Sequence, residues 1–164
     1  MNFQTMKSLA FLVFFNAALV IPIDAQEKYI PISGTDTIHG EFGYLCDDGG
    51  YTGNYQDNAS GSVVIFSPSS KTRTVIQFIQ FSLSTGDTLI IYDGPSSNSL
   101  LLGKFINHPG ILKSTDFKGA LTIQFVTDGS GNDKGFSAAL YYEVTGPGPD
   151  LVVNNLTMPK DTIT

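Results

Sequence analysis

The sequence predicts an all-β protein, an antiparallel sandwich or barrel, on three observations. Short runs of apolar/polar alternation recur, turn-forming residues separate them, and no stretch sustains a 3.6-residue period. Ala120–Asp128 turns Leu121, Ile123 and Phe125 one way and Thr122 and Gln124 the other. Phe136–Val144 puts Phe136, Ala138, Leu140, Tyr142 and Val144 on one face. Thr74–Leu83 groups Val75, Ile79, Phe81 and Leu83, yet carries Ile76 and Phe78 on its other face, which suits a central strand. Ser62–Phe66, Thr88–Tyr92 and Leu100–Ile106 are short, apolar or β-branched runs, and Tyr29–His39 is expected to supply an N-terminal strand. The segments Ser67–Ser70, Ser84–Asp87, Asp93–Ser96, Asn107–Gly110 and Asp128–Asp133 have turn or loop chemistry.

Composition narrows the function. Hydrophobic residues make up 41% of the 164, enough for a core, whereas charged residues are only 15%. A net charge of −6 argues against nucleic acid, whose phosphates need a Lys/Arg field, and favours cations or basic side chains as partners. Lys7 precedes the apolar run Leu9–Val20, and small Ala25 follows, the layout of a signal peptide over 1–25. The run is short for a bilayer span of roughly 20 residues. The expectation is a secreted or cell-surface protein with no membrane span after cleavage. A sandwich over 26–146 would follow. Gly146-Pro147-Gly148-Pro149 has linker character, and Asp150–Leu156 is a new apolar stretch. Residues 147–164 are therefore expected to be a linker and the first strand of a module cut short, with further domains of the same chain beyond it; the tail resembles the start of an immunoglobulin-like module.

No catalytic constellation emerges. Cys46 is the single cysteine, so no intramolecular disulfide can form, and a small semi-buried thiol is its expected role. His39, in a predicted turn, and His108, in Asn107-His108-Pro109-Gly110, belong to no zinc pattern. No G-x-S-x-G elbow occurs. Asp47 and Asp48 are adjacent and would point to opposite faces, so a turn role beside Gly49-Gly50 is expected. Asn58-Ala59-Ser60 and Asn155-Leu156-Thr157 are glycosylation sequons, meaningful only in a host that modifies them.

Four stretches in order resemble the CUB domain family. They are Asp48–Asn58 (with its Gly-Gly pair and Tyr55), Ile79–Leu83, Gly86–Gly94 (GDTLIIYDG), and Phe125–Ser130 followed by Gly135–Ala138. Together they span about residues 40–144. The sequence departs from the family's animal members in lacking their disulfides and their early Trp, which suggests a divergent, bacterial-type member. The resemblance implies a jelly-roll β-sandwich and a non-catalytic extracellular module for binding or adhesion. It would recognise a basic side chain of a protein, or a glycan, through loops at one end. The alternative is an accessory domain of a secreted hydrolase whose catalytic part lies elsewhere.

The resemblance also implies a calcium site. Asp87 and Asp128 match two of the family's acids, and Tyr55 matches the tyrosine that supports one of them. Ser84 stands where the family carries another acid, which removes a charged ligand and implies weak binding. Independently, calcium takes about six to eight oxygens, and a Gly/Ser-rich loop such as Asp128–Asp133, with Ser130, can turn oxygens toward an ion. That loop is not an EF-hand, since the twelfth-position Glu is missing. The expected metal ligands are Asp87, Asp128 and Ser130, and the expected partner-binding centre is Tyr55, Asp87 and Asp128. For a glycan, Tyr51 and Tyr55 are the candidate stacking rings.

Overall fold

A computed structural model describes residues 26–146; the expected signal and the expected linker and strand lie outside the described residues. Ten strands form two five-stranded sheets. In chain order they are β1 (Glu27–Tyr29), β2 (Thr35–His39), β3 (Gly43–Cys46), β4 (Ser62–Phe66), β5 (Thr72–Ser82), β6 (Thr88–Asp93), β7 (Leu100–Phe105), β8 (Ile111–Lys113), β9 (Leu121–Val126) and β10 (Gly135–Val144). The first sheet runs β1-β3-β10-β5-β8 and the second β2-β4-β9-β6-β7. Among the described residues no helix is long and apolar enough to cross a membrane.

The all-β sandwich predicted from alternation is observed, with both sheets mixed rather than purely antiparallel. β1 lies parallel to β3 and β2 parallel to β4. The single strand expected over Tyr29–His39 is two, one edge strand for each sheet. Pro31 cannot donate to a ladder, and Gly34 turns the chain at a φ of 81° between them. His39 closes β2, stacked on Phe66 at 5.1 Å, rather than sitting in a turn.

The core lies between the inner faces. β9 contributes Leu121, Ile123 and Phe125, and β10 contributes Phe136, Ala138 and Leu140, as the alternation predicts. β5 differs. Its core residues are Ile76 and Phe78, then Phe81, so the phase of alternation changes at Ile79, which is 39% exposed. The register against β10 shifts there, from Phe78↔Ala138 to Gln80↔Ser137. One extra residue in a strand exchanges its two faces from that point on. That is why one alternating pattern cannot describe β5. β3 and β8, at four and three residues, are too short to show a period at all.

At one end of the sandwich a carboxylate organises a loop. Asp93, the last residue of β6, is 8% exposed. Its Oδ1 accepts Ser114 Oγ–H at 2.8 Å, Thr115 N–H at 2.9 Å and Asp116 N–H at 3.0 Å, while Oδ2 accepts the Thr115 hydroxyl. Burial pushes this carboxyl up, but the hydrogen bonds from Thr115, Ser114 and Asp116 together hold it below the usual carboxylate range. Asp93→Ala would leave these donors without their acceptor and is expected to destabilise the fold by about 3 kcal/mol. Urea unfolding at neutral pH measures this. The parent-to-variant difference should shrink as pH falls through the depressed folded pKa, because a carboxyl lowered on folding stabilises only while ionised.

Candidate functional site

The opposite end gathers three segments: the long β3–β4 connection, the tight β5–β6 turn, and the β9–β10 loop. A chain of aromatic rings lies beneath them and joins the two sheets. Tyr55 packs edge-on to Phe125 at 5.1 Å, Phe125 to Phe136 at 5.7 Å, and Phe136 against Phe78 at 5.7 Å. Such pairs each contribute about 0.5–1.5 kcal/mol beyond the area they bury, so the loops rest on a firm base.

Asp87 is the hub of this end. It is 1% exposed, and both its oxygens are engaged. Oδ2 accepts the Tyr55 hydroxyl, and Oδ1 accepts the Asp128 N–H at 2.8 Å. The Tyr55 oxygen in turn accepts the Ser84 N–H at 2.8 Å. Burial, then the bond to Asp87, raises the Tyr55 phenol, so it stays a donor. Asp128, by contrast, is exposed. Its Oδ1 accepts the Ser130 N–H at 2.8 Å, and its carbonyl accepts the Asn58 N–H at 2.7 Å. A Cβ on Gly86, at a φ of 102°, would overlap Asp128 Oδ2, so glycine there lets that carboxylate lie against the backbone.

The structure thus brings together Asp87, Asp128, Ser130 and Tyr55. Ser84 borders the same space, its Cβ and Oγ facing Gly131. Tyr55 is buried to 1%, so its ring cannot stack on a sugar and only its hydroxyl serves the site. Tyr51 is exposed. Among the described residues no three His, Cys, Asp or Glu side chains gather in metal-binding geometry. What remains for a cation is two carboxylates, Asp87 with both oxygens bonded within the chain and Asp128 with one, and the Ser130 oxygen.

A second buried carboxylate at this end is one whose role sequence reasoning missed. Asp47, at 0% exposure, accepts the Phe136 N–H at 2.6 Å and the Gly49 N–H at 2.9 Å, pinning the start of β10 to the end of β3. A side chain at Gly135 (φ 66°) would collide with it. Asp48 diverges from it and accepts the Gln56 N–H at 3.1 Å. Burial outweighs the two N–H bonds and raises Asp47 to about 6. Cys46 beside it is buried, and burial followed by the Glu27 and Asp47 charges pushes its thiol to about 12, an inert group.

These features define a β-sandwich with a hydrogen-bonded cluster of acids on the loops at one end. The chain belongs to the CUB domain family, whose profile matches residues 37–140, well over half of it. CUB domains are extracellular binding modules. Solved structures with the same fold include the full extracellular region of zebrafish Gpr126/Adgrg6, at 20% identity and a TM-score of 0.56 over 66% of this chain. The MASP-1 CUB2 domain bound to Ca2+ matches at 18% identity and a TM-score of 0.52, over 65% of this chain and 96% of that domain. The CUB1-EGF-CUB2 domains of rat MASP-1 match at 17% identity and a TM-score of 0.55, over 66% of this chain. The chain spans 14% of the zebrafish region and 42% of the rat fragment.

Two expectations follow. Tyr55→Phe keeps the buried ring but leaves the Ser84 N–H and Asp87 Oδ2 without a shared partner. It should cost about 1–3 kcal/mol in urea unfolding, and a Tm within about 1 °C of the parent would refute the hub. Asp47 gives a pH dependence of opposite sign to that of Asp93. Its folded pKa, about 6, lies above the usual 3.8, so ionisation is costlier in the folded state. Its contribution should fall by roughly 3 kcal/mol as pH rises between these values and then level off. Asp47→Asn should flatten that slope in unfolding curves taken across the range.

Proposed function

We propose that this chain is a non-catalytic extracellular recognition module that holds a cationic group at the Asp87–Asp128 loop end. The cation is a Lys or Arg side chain of a partner protein, with calcium as a weak auxiliary ligand. One observation carries the reading: an exposed carboxylate, Asp128, is held in place through its own N–H by a buried one, Asp87. An acid fixed in this way meets an incoming cation without a large ordering cost, which favours a charge-assisted contact. The chain's net charge of −6 would steer such a partner.

Calcium fits this site modestly. Asp87, Asp128 and Ser130 would hold it, and it would supply positive charge that fixes both carboxylates in place. Asp128 Oδ1 takes the Ser130 N–H, which leaves Oδ2 as the oxygen to offer a cation, and Ser84 limits the strength by contributing no charge.

Thermal melts of the full chain test the metal. Millimolar calcium is expected to raise the parent Tm relative to chelator, and Asp87→Asn and Asp128→Ala should each lose the rise. An oligolysine peptide tests the partner. Its binding, followed by shifts of the Asp128 and Ser130 amide resonances, should weaken about tenfold in Asp128→Asn, ~1.4 kcal/mol, and fade with added salt. Equal binding by parent and Asp128→Asn would sink the reading, whatever calcium does.

A further inference from the structure

A second surface has a different chemistry. On β4, Val63 and Ile65 face the core, so Ser62 and Val64 face outward; on β9, Leu121 and Ile123 face the core, so Thr122 and Gln124 face outward. Thr35 of β2 lies beside Ser62, with their hydroxyls hydrogen-bonded at 2.7 Å. Ser62 in turn pairs with Gln124 of β9. The β6–β7 loop returns over this face, anchored where Thr122 donates its hydroxyl to the Gly94 carbonyl at 2.8 Å, and brings Pro95, Ser96 and Ser97 to the opposite wall. Between loop and sheet lies a groove of about 380 Å³.

The groove carries no Lys, Arg, Asp, Glu or His among its lining residues, on a chain with nine basic and fifteen acidic side chains. A charged ligand such as a phosphate, sulfate or carboxylate would find no counter-charge there, and a purely apolar one would cover the Gln124 amide and the hydroxyls' remaining acceptor capacity without replacing their water. Hydroxyls are donor and acceptor at once, and an amide offers one face of each. That is the complement of another set of hydroxyls. Val64 and Pro95 add apolar contact for the C–H surface of a ring. The volume lies within the range of small-molecule sites, about 300–1,000 Å³.

The geometry points to a binding site for a neutral saccharide on the outer face of the second sheet, between Gln124 and the Ser96–Ser97 loop. It is separate from the acidic loop end and needs neither Asp128 nor a metal.

The test is retention of the full chain on immobilised neutral oligosaccharides of about two to six hexose, pentose or N-acetylhexosamine units, beside sulfated and sialylated counterparts. Retention by at least one neutral class is expected. Gln124→Ala should weaken it about tenfold, and Ser97→Arg, on an exposed loop that tolerates bulk, should do the same by filling the groove. Asp128→Ala should bind as the parent does, and each variant's Tm reports its folding. The proposal is overturned by retention on charged glycans only, by retention on none, by neutral binding that both groove variants keep, or by neutral binding that Asp128→Ala loses.

Discussion

The structure depends on one constraint: backbone N–H groups at the ends of a sandwich must find acceptors, and this chain has no disulfide to hold its loops while they do so. Carboxylates meet the need. Asp47 takes the N–H groups of Phe136 and Gly49, Asp87 takes that of Asp128, and Asp93 takes those of Thr115 and Asp116. Each ties together segments far apart in sequence, by 89, 41 and 22 residues for the longest or first of these bonds. A cross-link of that span restricts the chain much as a covalent bridge would, but it works only in the folded state and only while the acid is ionised or well bonded.

This arrangement gives Asp87 two duties that pull against each other. As a structural acceptor it is saturated from within the chain, by Tyr55 and the Asp128 amide. As a ligand it would have to share the same oxygens with an outside cation. Asp128 is less constrained: its backbone bonds to Asp87 and Asn58, its Oδ1 takes the Ser130 N–H, and its Oδ2 lies against Gly86. In the proposed reading the buried acid would position and the exposed acid would contact the cation.

Much of the fold was legible in the sequence wherever alternation is uninterrupted. β9 and β10 show their core faces directly, because neither contains an extra residue between its paired core positions on one face. β5 was legible as a strand but not in its facing, since the shift at Ile79 is set by pairing with β10 and leaves no local mark. β3 and β8 escaped because three or four residues cannot display a period. The candidate site was legible only through family-like motifs. Asp87 and Asp128 lie 41 residues apart, and nothing in local composition says that their loops meet. Asp47 read as a turn residue, and it does accept the Gly49 N–H, but its longer bond to Phe136 depends on β3 lying beside β10.

The two candidate surfaces divide the chain's polar residues by chemistry. Acids concentrate where loops converge and backbone N–H groups point outward from strand ends. A carboxylate is stabilised there by donors that strands no longer use. The outer face of a sheet offers no such free donors, because its backbone groups are consumed by the ladders. Side chains alone set the character of that face, and where β2, β4 and β9 line the groove they are Thr35, Ser62, Val64, Thr122 and Gln124. Hydroxyl and amide groups suit this position: they satisfy one another across strands, as Thr35 and Ser62 do, and require no counter-ion. Acids at the loop end and neutral polarity in this groove thus follow from where the backbone leaves its hydrogen-bonding capacity unspent, whereas the other sheet carries charge on its outer face as the paired ions Arg73, Lys113 and Glu143.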